Sequence, residues 1–134
     1  MSRPRIALGI FVGAIIVASS LAHSLLGWPQ LSARLVATPA PADLITGLKI
    51  GWHFAGVAMF TFGAVVIWTF HNFLMRRPVS LRPSQIIALV YLAFGLWALA
   101  VSRFDPFFFI FIVPGVTLVA VAWWPATMPG PSGP

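Results

Sequence analysis

The sequence contains no cysteine and only two acidic residues, and both shortages narrow the possible functions. Without cysteine there is no disulfide, no thiolate nucleophile and no cysteine-ligated zinc. Asp43 and Asp105 are both predicted at helix starts, so no carboxylate lies inside an apolar span, where an ion-coupled transporter usually has one. Phosphate-binding glycine loops, the helical His-Glu-x-x-His pattern, G-x-S-x-G elbows and paired carboxylates are also absent. The sequence therefore carries no enzyme signature.

Apolar residues dominate what is present. They make up 60% of the 134 residues, and only 7% are charged, against about 25% in a typical soluble domain. The net charge of +6 would suggest nucleic acid in a soluble protein, but here the cations stand between apolar runs. Anionic lipid headgroups are the natural partner of cations in such positions. The composition predicts a membrane protein that does not bind nucleic acid.

Four long apolar runs predict an all-α integral membrane four-helix bundle in one transmembrane domain, residues 1–124. The predicted spans are about 6–26, 44–74, 84–102 and 107–124. We expect Gly27-Trp28-Pro29 to end the first helix, and Asp43 and Ser84 to cap the second and third. Pro114-Gly115 predicts a kink in the fourth. The Pro- and Gly-rich tail, 125–134, is predicted to be disordered.

Arginines near the span ends predict the orientation. Arg3 and Arg5 precede the first span, and three more arginines stand between the second and third, at 76, 77 and 82. Because such cations stay on the cytoplasmic side, we expect an antiparallel up-down bundle with both termini in the cytoplasm, in a bacterial-type inner membrane. An alternative is that the N-terminal segment is a signal peptide cleaved after Ala22. The apolar run that continues through Leu26 favours an uncleaved span.

Small residues predict how the first two helices associate. Gly9 and Gly13 lie on one face of the first helix, and Gly56 and Gly63 lie on one stripe of the second. Helices in lipid approach closely where residues are small, so we expect these two faces to meet. Tryptophans near the span ends are interpreted as interfacial anchors, namely Trp28, Trp52, Trp123 and Trp124.

His23 and His53 are the main candidates for chemistry, because ionisable groups within spans are costly to bury. Both are predicted near the outer surface on the glycine-bearing faces, which Ser20 and Lys49 share. Arg103 and Asp105 should reach the same level, as a turn-stabilising pair with a helix cap. One interpretation of this group is a site for haem b, a quinone, a lipid headgroup or a metal ion. The alternative is that the histidines only hydrogen-bond across the helix pair or lie at the headgroup interface.

Scarce chemistry and abundant packing residues favour a non-enzymatic function. We expect an accessory or structural membrane component, or a small lipid-binding one, whose partners are lipids, other membrane subunits or further copies of itself. A redox or ligand-binding protein that uses His23 and His53 is the first alternative. A small-molecule transporter is the second, although the spans offer almost no polar pathway below the outer turn.

Overall fold

The structure, a computed structural model, describes residues 1–38 and 40–123, and its regular elements are helical. The elements are α1 (Arg3–Ala22), a π-helical turn (His23–Gly27), α2 (Trp28–Val36), α3 (Ala42–Leu74), α4 (Arg82–Val101), a 3₁₀ turn (Pro106–Phe108) and α5 (Phe109–Trp123). Four stretches of this described part are long and apolar enough to cross a membrane: Arg3–Val36, Ala42–Leu74, Arg82–Val101 and Pro106–Trp123. Trp124 and the tail predicted to be disordered lie outside the described residues.

The first helix does not end at Gly27-Trp28-Pro29, and that prediction is wrong. The chain passes from α1 through the π-helical turn into α2 and stays helical to Val36. The wider turn shifts the register, so Pro29 falls within the first two positions of α2. A proline is accommodated there because the adjacent π-helical turn already interrupts the regular i to i−4 hydrogen bonding of the α-helix.

Two of the predicted helix caps are also wrong, and proline explains both. α3 begins at Ala42 after Pro41, and α4 begins at Arg82 with Pro83 in its first two positions. Pro41 stands at the cap position of α3 and Pro83 within the first two positions of α4, and the fixed φ and missing N–H of proline suit both places, so each helix starts earlier than predicted. Asp43 and Ser84 therefore lie inside the first turn, and the residues at the cap positions, Pro41 and Leu81, make no side-chain cap. The hydroxyl of Ser80 accepts from the N–H of Arg82 at the start of α4 instead.

The long helices α1–α2 and α3 differ in length from α4 and α5. The first two stretches have 34 and 33 residues and the last two have 20 and 18, or about 50 Å against about 30 Å. Arg5 of α1 hydrogen-bonds the carbonyl of Val121 near the end of α5, so the excess length lies at the α2 end of the molecule. The hydrocarbon core of a bilayer is about 30 Å thick, so α2 and the start of α3 are long enough to extend beyond it.

Glycines bring α1 and α3 into backbone contact. A Cβ added at Gly63 would lie 2.8 Å from the carbonyl oxygen of Gly13 and 2.9 Å from the backbone nitrogen of Val17. A Cβ on Gly9 would overlap the ring of Phe70, which is fully buried. Such close approach is typical of helices that associate in lipid.

The remaining helices complete a ring in which each contacts its neighbours along the chain and α1 contacts α5. Glycines also allow α4 and α5 to pack closely. A Cβ added at Gly95 of α4 would collide with Ile112, and one added at Gly115 of α5 would collide with Leu92. Buried apolar side chains from all four stretches fill the centre, among them Ile16, Val66, Phe70, Ile87 and Leu118.

Two helices end with an arginine in the left-handed conformation. Arg76 follows α3 with φ of 55°, and the next backbone N–H bonds back to the carbonyl of Asn72. Arg103 follows α4 with φ of 59°, and the N–H of Phe104 bonds to Leu99. Glycine usually occupies this position, because other residues are strained in it. A cation there is compensated by the negative end of the helix dipole.

Tyr91 is buried in the middle of α4, and its hydroxyl has no hydrogen-bond partner among the described residues. Its ring lies among aromatic neighbours, with the Phe111 centroid 5.8 Å away and the Phe62 centroid 6.4 Å away. We expect Tyr91→Phe to leave the free energy of unfolding unchanged or raise it by up to about 2 kcal/mol, because a buried unpaired hydroxyl is costly. Thermal melts in detergent measure this. A clear loss of stability in Tyr91→Phe would contradict the prediction and indicate a hydroxyl partner.

Candidate functional site: a histidine and tryptophan cluster

Four aromatic side chains meet where the π-helical turn crosses the first half of α3. His23 is the first residue of the turn and Trp28 the first residue of α2, while Trp52 and His53 are neighbours on α3. We call these four residues the His–Trp cluster. All four are partly buried.

Glycines allow the turn to approach α3 at this level. A Cβ on Gly56 would collide with the hydroxyl of Ser24, and a Cβ on Gly27 would lie 2.8 Å from the ring of Trp52. The π-helical turn thus rests directly on α3. π-helical turns inside α-helices are frequent at functional sites.

His23 and Trp52 hold each other through two hydrogen bonds and a stacked contact. The indole Nε1 of Trp52 donates to the carbonyl of His23 at 2.8 Å, and Nε2 of His23 lies 3.1 Å from the carbonyl of Trp52. Since a carbonyl only accepts, the second bond requires a proton on Nε2. The ring centroids are 4.2 Å apart and the planes differ by 7°. This pair links the two long helices.

Each imidazole of the cluster has a tryptophan as its ring neighbour. His53 contacts Trp28 with centroids 5.9 Å apart, and Trp28 in turn lies 6.5 Å from Trp52. A bis-histidine haem needs two imidazoles that face one iron, whereas Nε2 of His23 is committed to a backbone carbonyl. The described residues also hold no group of three or more His, Cys, Asp or Glu suited to a metal ion. This arrangement does not favour a shared haem or metal site.

Ser20 and Lys49 are predicted to share the site, but no side-chain hydrogen bond joins either of them to an imidazole among the described residues. Ser20 is buried, and its hydroxyl donates to the carbonyl of Val17 within α1 at 2.7 Å. Lys49 is exposed on α3, and its side chain forms no hydrogen bond or ion pair with a described residue.

Arg103 and Asp105 lie in the turn between α4 and α5, and nothing in the described residues connects them to the cluster by hydrogen bond or ring contact. Asp105 accepts a hydrogen bond from the N–H of Phe107 at 2.9 Å, so its predicted role as a cap is confirmed. The predicted pairing of Arg103 with Asp105 is wrong, because no ion pair joins these two described residues. The chain reverses direction here through the left-handed backbone conformation of Arg103 and Phe104, without an ion pair between Arg103 and Asp105.

An open groove of about 550 Å³ runs along α3 beside His23. Asp43, Gly47, Gly51 and Trp52 line it with His23 and apolar side chains. The groove was not predicted, although the spacing of Gly47 and Gly51 repeats that of Gly9 and Gly13. The sequence analysis interprets Trp52 only as an interfacial anchor. Its position directly before His53 was the one signal in the sequence that it could belong to the site.

Trp52→Phe tests the link between the two long helices. The variant keeps an aromatic ring against His23 but removes the donor to the carbonyl of His23. We expect it to lower the free energy of unfolding by about 1 kcal/mol, because the hydrogen bond from the indole to a partly buried carbonyl is lost. Thermal melts in detergent measure the change. Trp97→Phe is the matched control, since Trp97 is 60% exposed on α4, and an equal effect in both variants would contradict the assigned role.

The fold and cluster define an all-helical protein with four helices long and apolar enough to span a membrane. A comparison of the chain with protein-family models, curated proteins and solved structures finds no match in any of the three.

Proposed function

We propose that the chain is an accessory or structural protein of a bacterial-type inner membrane, which associates through the first half of α3 with a helix of another membrane subunit. The observation that carries this proposal is the contrast among the glycines. Added Cβ atoms at Gly47 and Gly51 meet nothing within 4 Å, whereas those at Gly13, Gly56 and Gly63 meet the neighbouring helix. A small-xxx-small face is suited to close helix association, and this one is unoccupied within the described chain.

Exposed apolar side chains border the same face. Leu44 and Leu48 line the groove with 51% and 40% of their surface exposed, and Ile50 is exposed as well. By helix length this part of α3 extends beyond the hydrocarbon core, where lipid tails would not cover it. An apolar surface in that position favours a protein partner, and a second copy of the chain is included among the possible partners.

The test of this proposal fills the open face. Gly51→Leu should abolish co-purification of the partner subunit, or the oligomer if the partner is a second copy, while the thermal stability of the chain itself stays unchanged. Ala64→Leu, at an exposed position of α3 outside the groove, is the matched control and should leave association intact. A protein that is monomeric in detergent and has no co-migrating partner in native membrane extracts would refute the proposal.

The proposed topology is an antiparallel up-down bundle with both termini in the cytoplasm. It is supported by the contact of Gly9 with Phe70, which sets the start of α1 against the end of α3, and by the arginines at that end. Because the chain has no cysteine, single-cysteine variants report exposure cleanly. A membrane-impermeant maleimide on intact cells should label Thr38→Cys and leave Ser80→Cys unlabelled. The reverse pattern would invert the proposed orientation.

A second candidate function is ligand binding in the groove beside His23. The observation that favours it is that an imidazole, an indole and the carboxylate of Asp43 line one apolar groove, which suits a quinone or a lipid. Organic extraction of natively purified protein, followed by mass spectrometry, should recover such a ligand. His23→Ala should reduce its yield and Lys49→Ala should not. An empty extract from the unmodified protein would remove this candidate.

A further inference from the structure

Five arginines gather at the end of the molecule opposite the groove. They are Arg3, Arg5, Arg76, Arg77 and Arg82. The contact of Gly9 with Phe70 brings the start of α1 to the end of α3. Hydrogen bonds from Arg5 to Val121 and from Gln85 to Ala122 bring the starts of α1 and α4 to the end of α5. We call this surface the arginine end.

Four of these arginines have no partner for the guanidinium among the described residues. Arg3, Arg76 and Arg77 are exposed, as is Arg82, and no side-chain hydrogen bond or ion pair compensates any of them within that part of the chain. The two acids of the sequence, Asp43 and Asp105, lie at the start of α3 and after α4, away from this end. Guanidinium groups in such proximity repel one another, and an external anion relieves the repulsion.

The surroundings of the arginine end indicate the kind of anion. Leu74 and Met75 immediately precede Arg76 and are 50% and 52% exposed, so apolar surface adjoins the cations. A guanidinium binds phosphate through paired hydrogen bonds, and the apolar surface beside it suits acyl chains. Soluble phosphate or nucleic acid would use the charge but leave the apolar surface uncovered.

We propose that the arginine end binds an anionic phospholipid, whose phosphate lies among Arg76, Arg77 and Arg82 and whose acyl chains lie on the adjacent surface of α3. The inference rests on the proposed membrane placement and adds a lipid class and a site to it. Each arginine near an anionic surface contributes about fivefold to the affinity. Removal of two should therefore weaken binding about 25-fold.

The experiment uses the full chain purified in detergent and titrated with phosphatidylglycerol or phosphatidylcholine, with bound lipid read by native mass spectrometry. Phosphatidylglycerol should be retained and phosphatidylcholine should not. The double variant Arg76→Gln with Arg77→Gln should lose about 25-fold in affinity. Arg34→Gln with Lys49→Gln removes the same charge from the opposite end and should keep the affinity unchanged. Arg82→Gln is a second variant, expected to lose about fivefold.

The outcomes separate the possibilities. Equal loss in both double variants, or equal binding of the two lipids, would overturn the site. Competition by inorganic phosphate as strong as that by phosphatidylglycerol would assign the arginines to a soluble anion and likewise overturn the lipid proposal. If the protein stayed dispersed without detergent, the membrane placement itself would fail, which is a result distinct from an absent lipid preference.

Discussion

Gly63→Ala should destabilise the protein by about 1–3 kcal/mol, although it adds a single methyl group. The added carbon would lie 2.8 Å from the carbonyl oxygen of Gly13 and 2.9 Å from the backbone nitrogen of Val17. Backbone atoms of a facing helix cannot rotate away as a side chain can, so α1 and α3 must move apart. Thermal melts in detergent, followed by circular dichroism, should show an earlier transition, and Gly13→Ala should behave in the same way.

Gly51→Ala provides a matched control on the same helix. Nothing lies within 4 Å of the added carbon, so the helical preference of alanine over glycine should leave stability unchanged or raise it by up to about 1 kcal/mol. The difference between Gly63→Ala and Gly51→Ala therefore isolates helix contact from helix propensity. Equal effects of the two substitutions would contradict the close approach of α1 and α3.

Hydropathy could predict the four membrane-capable helices, but not the length of the first. An apolar run of about 20 residues is a strong signal because lipid imposes it, so the helices lie close to where the pattern puts them. The extension through Pro29 to Val36 depends on the π-helical turn, a shift of register that residue types alone do not reveal. The caps expected at Asp43 and Ser84 failed because a proline nearby begins each helix earlier.

The level of the candidate site along the two long helices was predictable from the sequence, but the contacts among its side chains were not. Counting residues along the helices puts His23 and His53 at a similar level, and both do lie in one cluster. The pairing of the rings depends on how each helix is rotated about its axis. The sequence therefore could not show that the indole of Trp52 hydrogen-bonds the carbonyl of His23, or that the rings of Trp28 and His53 are in contact. Arg103 and Asp105 were grouped with the histidines because residue counting puts them at the same end of the helices. Hydropathy does not show how far apart two helices lie sideways, so it could not show that these residues have no link to the cluster.

Removal of the two side chains that cap the end of α5 should also lower the free energy of unfolding strongly. The last carbonyls of a helix have no partner within it, and here Arg5 donates from Nε to Val121 at 2.7 Å while Gln85 donates from Nε2 to Ala122 at 3.0 Å. A hydrogen bond to a charged group contributes about 1.5–3 kcal/mol and a neutral one about 1 kcal/mol. We expect Arg5→Ala with Gln85→Ala to lower the free energy of unfolding by about 3 kcal/mol, measured by thermal melts in detergent.

Arg3→Ala is the matched control for Arg5→Ala, because Arg3 is an exposed arginine in the same first turn of α1. It should change the free energy of unfolding by less than about 0.5 kcal/mol. Arg5→Lys keeps the charge near the negative end of the α5 dipole but lacks the guanidinium geometry, so it should recover only part of the loss. If Arg5→Ala proved as mild as Arg3→Ala, the hydrogen bond to Val121 would contribute nothing, and the contacts of α1 and α4 with α5 would have to rest on apolar packing alone.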